Sequence, residues 1–145
     1  MENGKIKLTS EAMTMFKDKL LCVAMDANIV YTIDLRNGEI GLLYNIPEED
    51  FFSARLIGSV IVCEEQIFFI PYHAKKIWIY DSRNEKWKGI QLNHESCRAK
   101  FWNAHLFENY IYMIPSKYPA IVRINIYTFE IEEFTDCVTP NANIK

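Results

Sequence analysis

Gln66-Ile67-Phe68-Phe69-Ile70-Pro71 returns 44 residues later as Tyr110-Ile111-Tyr112-Met113-Ile114-Pro115. At the same offset and with no gap, Ile77-Trp78-Ile79-Tyr80-Asp81 falls on Ile121-Val122-Arg123-Ile124-Asn125. Asn84-Glu85-Lys86-Trp87 then falls on Thr128-Phe129-Glu130-Ile131. Each run is short and rich in β-branched and aromatic residues, the composition of strands. A third copy stands earlier, at an offset of 47: Asp34-Leu35-Arg36-Asn37-Gly38-Glu39-Ile40 matches Asp81-Ser82-Arg83-Asn84-Glu85-Lys86-Trp87, and Val30-Tyr31 matches Ile77-Trp78.

The middle repeat shows what each copy contains. Residues 59–63 form a first strand and Glu64-Glu65 its turn. Residues 66–71 are apolar almost throughout, as in a strand covered on both faces. A loop at 72–76 leads to a third strand, 77–80. The next turn, 81–85, carries Asp81, placed to accept a backbone hydrogen bond from two residues on. Residues 86–92 make a fourth, more polar and therefore outermost strand. Four antiparallel strands followed by a connector, repeated at this period, describe a β-propeller blade. The expected architecture is all-β. Three four-stranded antiparallel blades, at about 9–47, 57–93 and 102–134, make one partial propeller domain over 1–145. The third blade's strands are placed near 103–107, 110–115, 121–124 and 130–134.

Residues 10–20 admit two readings. Ser10 suits a helix N-cap, with Met13, Phe16, Lys17 and Leu20 at helical spacing. The repeat instead lays Phe16-Lys17-Asp18-Lys19 over the Val62-Cys63-Glu64-Glu65 turn and makes 12–16 and 20–25 strands, which is the reading adopted. Asn3-Gly4-Lys5-Ile6-Lys7-Leu8 looks like Asn37-Gly38-Glu39-Ile40-Gly41-Leu42, so 1–8 is expected to be the outer strand of a preceding or partner blade. Residues 135–145 are read as a tail.

Composition bounds the function classes. Hydrophobic residues are 50% and charged residues 24%, an ordinary globular balance. A net charge of -3 lacks the basic excess of a nucleic-acid binder. No apolar run approaches the length of a membrane span, and no leader-like segment opens the sequence. Four cysteines without a leader read as free thiols in a cytoplasmic protein. Neither nucleic acid nor membrane is expected as a partner.

Residues 59–88, with Tyr80-Asp81 and Trp87 at their places, resemble a blade of the kelch and galactose-oxidase-like propeller family. The sequence departs from that family where kelch blades end the second strand in Gly-Gly. Here Ile70-Pro71 and Ile114-Pro115 stand instead, and Asn125 and Ile131 replace the Asp and Trp of the third blade. The resemblance implies a propeller scaffold whose loops carry the function. The family's copper chemistry does not carry over, because no matching set of Tyr, His and Cys ligands is found.

On a propeller, the loops after each second strand and the connectors between blades share one face. They gather Asp26, Asn28, Ser116, Phe51 and His94 with the binding candidates proper: Arg55, Tyr72, His73, Lys75, Lys76, Arg98, Lys100, Lys117 and Tyr118. Trp102, beside the first strand of the third blade, is placed to reach the central opening. Tyr, His, Lys and Arg together suit a small glycan, an anionic ligand or a protein with an acidic patch. Polar loop residues are otherwise simply solvated. No metal site is expected: His94-Glu95-Ser96-Cys97 is a single His-x-x-Cys pair without a second. Nor is a cofactor or a catalytic residue.

The leading reading is a non-catalytic binding module. The alternative is a carbohydrate-active propeller enzyme, epimerase- or oxidase-like, using Arg55, His73, Arg98 and His105. Phe51-Phe52, after the solvated Glu48-Glu49-Asp50, is read as packing between blades. Trp78, Trp87 and the strand tyrosines are read the same way. Three blades do not close a ring, since propellers need about four to eight. Self-association of two copies, a longer propeller of which this is part, and an open arc with capped ends all remain consistent with the residues.

Overall fold

The computed structural model describes residues 8–136. Twelve strands follow one another in three antiparallel sheets. The first sheet holds β1 (Ser10–Phe16), β2 (Lys19–Ala24), β3 (Val30–Asp34) and β4 (Ile40–Tyr44). The second holds β5 (Ile57–Cys63), β6 (Gln66–Pro71), β7 (Ile77–Asp81) and β8 (Lys86–Ile90). The third holds β9 (Phe101–Phe107), β10 (Tyr110–Pro115), β11 (Ile121–Asn125) and β12 (Ile131–Phe134). Each sheet is a simple meander in sequence order. Their first strands, β1, β5 and β9, lie side by side at the hub. The fold is all-β, three four-stranded blades of a partial propeller. The first strand of the third blade begins two residues before the expected 103.

The helical reading of residues 10–20 is overturned. Ser10–Phe16 is a strand paired antiparallel with Lys19–Ala24. A lone amphipathic turn of helix would forfeit this ladder and the burial of Ala12 against the next blade. The outer strand expected at 1–8 lies outside the described residues except for Leu8, as does the tail beyond Asp136.

The repeat extends to the backbone. Lys17, Glu64 and Glu108 have φ of 56°, 57° and 55°, each in the turn between the first two strands of its blade. Gly38, Glu85 and Phe129, with φ of 73°, 54° and 62°, occupy the turn before the outer strand. In that turn Asp34, Asp81 and Asn125 each accept a backbone N–H from two residues on, at 2.9, 2.9 and 2.8 Å. Asn125 keeps the bond because its amide oxygen accepts as a carboxylate does.

The blades are joined by two apolar layers. Leu21, Val23 and Val30 of the first blade meet Ile67, Phe69, Trp78 and Tyr80 of the second. On the other side of the second blade, Phe68, Ile70, Ile77 and Ile79 meet Phe101, Ile111, Met113 and Val122 of the third. The strand β6 therefore alternates between two interfaces, which is why it reads as a continuous apolar run. Each fully buried Phe contributes roughly 2–3 kcal/mol by transfer from water. Trp87 fills the wedge between the first two blades. Its ring centroid lies 6.1 Å from Tyr44, 5.3 Å from Phe69, 6.3 Å from Trp78 and 5.0 Å from Tyr80.

Phe51 and Phe52 depart from expectation. They are exposed and stack edge to face on each other at 5.0 Å instead of entering a blade interface. The connector's apolar places in that interface are taken by Ile46 and Leu56, both buried in it. The acidic run before them is partly engaged: Glu48 pairs with Lys76 at 2.8 Å, and Glu49 accepts from the Lys75 backbone N–H at 2.9 Å. Cys22, Cys63 and Cys97 are free thiols.

Candidate functional site

The inner strands share an irregularity. Pairing of β1 with β2 skips one residue between Ser10 and Ala12, leaving Glu11 unpaired. Pairing of β5 with β6 skips Gly58, and pairing of β9 with β10 skips Trp102. Bulges of this kind re-aim a side chain and mark the rims of sheets. Glu11, Gly58 and Trp102 occupy the same repeat position, and all three line one cleft of about 300 Å³ at the hub. Ala12, Val23, Ala24 and Ile57 give it an apolar floor, and Met25, Arg55, Tyr72 and Asn103 complete its wall.

Gly58 is required by the closeness of the neighbouring blade. A Cβ there would lie 2.4 Å from the Phe101 carbonyl oxygen. Glu11 and Trp102 face no such restriction and bring chemistry to the equivalent places. The Arg55 guanidinium donates to Glu11 Oε2 at 3.4 Å, an exposed pair that offers both donors and acceptors. Tyr72 meets Trp102 at 5.6 Å with rings inclined by 70°. Trp102 is 59% exposed, so much of its ring is open to a ligand.

The backbone beneath these side chains is held by a repeated strap. Met25, Tyr72 and Ser116 donate their N–H to the carbonyls of Thr9, Leu56 and Lys100 at 2.7, 2.8 and 2.8 Å. Arg55 N–H donates to Met25 O and Lys100 N–H to Tyr72 O, both at 2.7 Å, which ties each connector to the preceding blade. The site thus rests on inter-blade hydrogen bonds and not on free loops.

His73 packs on Tyr72 at 4.6 Å, and its Nδ1 accepts the Ala99 N–H at 3.1 Å. Burial first, then the charges of Arg98, Lys100, Arg55 and Lys117, hold its pKa below the usual histidine value. His73 is therefore a neutral acceptor surrounded by cations, as the hydrogen bond requires.

Of the residues singled out from sequence, Arg55, Tyr72 and Trp102 line the cleft, and His73 backs it. Arg98 and Lys117 are exposed beside them. Lys75 and Lys76 turn instead toward the connector of the first blade, where Glu48 and Glu49 engage them. Lys100 and Tyr118 correct the expectation: each is only 1% exposed. Lys100 occupies the repeat position of the buried Leu56, and its Nζ donates to the Cys97 carbonyl oxygen. The Tyr118 ring packs on Phe101 at 4.8 Å, and its hydroxyl accepts the His94 N–H at 3.2 Å. Tyr118 belongs to the second inter-blade layer, whereas Lys100 is buried beside it in the chain's connector with its ammonium on a backbone carbonyl. Glu11, Met25, Gly58 and Asn103 were not anticipated. Aligning position 11 with 58 and 102 in the repeat is the signal that finds the first of them and Gly58.

No family model matches the chain, and no curated protein matches it. Solved structures do. Two structures of the extracellular domain of BT4673 from Bacteroides thetaiotaomicron, assigned to a one-component system in one and a hybrid two-component system in the other, each align with a TM-score of 0.65. Their identities are 16% and 17%, over 92% of this chain and 18% of theirs. A protein of unknown function from B. thetaiotaomicron VPI-5482 aligns with a TM-score of 0.62 and 16% identity, over 87% of this chain and 31% of that one. The chain thus spans less than a third of the length of these neighbours, and what it shares with them is the all-β fold.

Proposed function

We propose that this chain is a non-catalytic binding module, a divergent kelch-like partial propeller that takes a small sugar-like or anionic ligand at its hub cleft. The observation that carries the reading is the convergence of three equivalent bulge positions on one cleft. Two of those positions bear Glu11 and Trp102, with Arg55 and Tyr72 beside them. A pocket with an apolar floor, aromatic walls and a few polar groups is the common form of a ligand site. Its volume of about 300 Å³ suits a ligand of monosaccharide size. Arg98 and Lys117 extend a cationic margin toward His73.

The enzyme alternative asks for Arg55, His73, Arg98 and His105 within hydrogen-bond reach of one another. His105 instead stands exposed on β9 opposite Tyr112, and the Nδ1 of His73 is already occupied. Calorimetric screening of neutral and acidic monosaccharides and small carboxylates tests the proposal. A hit should lose at least tenfold in affinity in Tyr72→Ala and in Trp102→Ala. Unchanged affinity in both would move the site elsewhere, and turnover of the bound compound would end the non-catalytic reading.

A further inference from the structure

Backbone hydrogen bonds draw four basic positions together beside the hub cleft. The His73 N–H donates to the Arg55 carbonyl at 3.1 Å, and the N–H of Ala99, next to Arg98, donates to His73 Nδ1 at 3.1 Å. The Ala99 carbonyl in turn accepts the Lys117 N–H at 2.8 Å. Because Nδ1 accepts, the neutral ring carries its proton on Nε2. That donor belongs to a half-buried side chain and has no acceptor among the described residues. The charges acting on the imidazole, those of Arg98, Lys100, Arg55 and Lys117, are all positive. Like charges repel, and the chain holds 16 cationic residues against 19 carboxylates, so this gathering runs against its overall balance. Ion pairs among the described residues take Lys17, Arg55, Lys76 and Arg123 and leave Arg98 and Lys117 without a carboxylate. Single exposed cations are ordinarily just solvated; here two of them flank an oriented donor.

Tyr72 joins this cluster to the cleft. Its ring meets His73 at 4.6 Å and Trp102 at 5.6 Å, so one small molecule lying along it reaches both the indole and the cations. We infer that the cleft takes a sugar bearing an oxyanion substituent, a carboxylate or a phosphate, with its ring on Trp102 and Tyr72 and its oxyanion held by His73 Nε2–H, Arg98 and Lys117. The inference rests on the hub cleft being the ligand site and adds a division of labour within it. The aromatic rings hold the sugar, and the cationic group selects the charged form over the neutral one. A guanidinium offers two parallel donors to an oxyanion, and an ammonium adds a mobile point charge. Arg55 is already engaged by Glu11 Oε2 at 3.4 Å, and the buried Lys100 ammonium by the Cys97 carbonyl oxygen. Selection therefore falls to Arg98 and Lys117.

Calorimetry at low ionic strength on matched sugars tests this: glucuronate and glucose 6-phosphate against glucose, and galacturonate against galactose, with acetate and inorganic phosphate alone beside them. The charged sugar is expected to bind about tenfold or more tighter than its neutral partner, the scale of charge-assisted hydrogen bonds. Preference for the uronates or for the 6-phosphate identifies the oxyanion, and either supports the inference. Arg98→Gln and Lys117→Gln alter exposed side chains, so both variants should keep their circular dichroism while the preference is lost. Lys75→Gln should retain it, because that ammonium donates to the Glu48 carbonyl oxygen instead. Added salt should weaken the preference, since the cations are exposed. Trp102→Ala should weaken charged and neutral sugars alike. A neutral sugar that depends on Trp102 yet binds as tightly as its charged partner would overturn the inference and leave the cleft as the site. Indifference of the charged sugars to both Gln substitutions would overturn it too, as would acetate or inorganic phosphate binding as tightly as the sugars. Absence of binding by every sugar, charged or neutral, would remove the inference together with the cleft as a sugar site.

Discussion

Arg55 and Ala99 stand 44 residues apart and share one backbone conformation, with φ of 49° and 52°. Their carbonyls accept equivalent hydrogen bonds, from His73 N–H at 3.1 Å and Lys117 N–H at 2.8 Å. The same structural task is therefore done by an alanine in one blade and an arginine in the next. The guanidinium is surplus to the fold. Arg55→Ala is expected to change stability by less than about 1 kcal/mol, the scale of an exposed ion pair. It should still weaken ligand binding at the cleft. Thermal unfolding and calorimetry on the same variant separate the two effects; a large loss of stability would mean that Arg55 is structural.

Glycines at 38 and 58 should respond differently to the same change. Gly58→Ala drives a methyl into the Phe101 carbonyl, where the added carbon meets backbone at 2.4 Å. Overpacking of this kind costs about 1–3 kcal/mol, and here it should separate the second blade from the third. Gly38→Ala meets nothing within 4 Å but must hold φ of 73°, which costs about 1 kcal/mol. Chemical denaturation of both variants should rank Gly58→Ala as the more damaging. The reverse order would contradict the close approach of β5 and β9.

His73 makes stability depend on mild acid. Its folded pKa lies below the unfolded value, because burial and the surrounding cations disfavour imidazolium. The neutral form's contribution is full above the unfolded pKa of about 6.5 and is lost as pH falls through the folded value. Protonation would also remove the acceptor that holds Ala99 N–H. Melting temperatures of wild type and His73→Asn, measured from pH 8 to pH 5, should therefore converge toward the acid end. Parallel curves would show that His73 does not titrate differently in the two states.

Lys100 acts at the opposite end of the pH scale. Burial holds its ammonium below the usual lysine value. The unfolded chain thus keeps a proton that the native chain releases first, and stability rises with pH through the window below 10.5. Lys100→Met, with a side chain of similar length and no charge, should lack this rise. Wild type should gain melting temperature relative to the variant between pH 7 and pH 10. A constant difference would indicate that the ammonium reaches water.

Legibility followed the length scale of each interaction. Strand order, blade number and the Asp34, Asp81 and Asn125 turns were all readable, because period-two patterning and turn chemistry are local and were repeated three times. The strand at Ser10–Phe16 was recoverable from the repeat even though its own spacing also suited a helix. Lys100 and Phe52 were misplaced for one reason: a residue type states a preference for water or core, not which slot the neighbouring blade leaves empty. Lys100 was drawn inside at the repeat position of the buried Leu56, with its Nζ donating to the Cys97 carbonyl oxygen, while the connector's places in the layer that Phe52 would join were taken by Ile46 and Leu56.

What the chain determined by itself was the blade. Alternating apolar residues and turn-forming positions specify the four strands of each segment and the turns between them locally. What tertiary structure decided was the hub. Glu11, Gly58 and Trp102 are neighbours only because three inner strands bulge at the same height, and Arg55 reaches Glu11 only across a blade boundary. Contacts made between blades depend on how the sheets pack, and that packing is fixed by the shapes of whole layers rather than by any local run of residues.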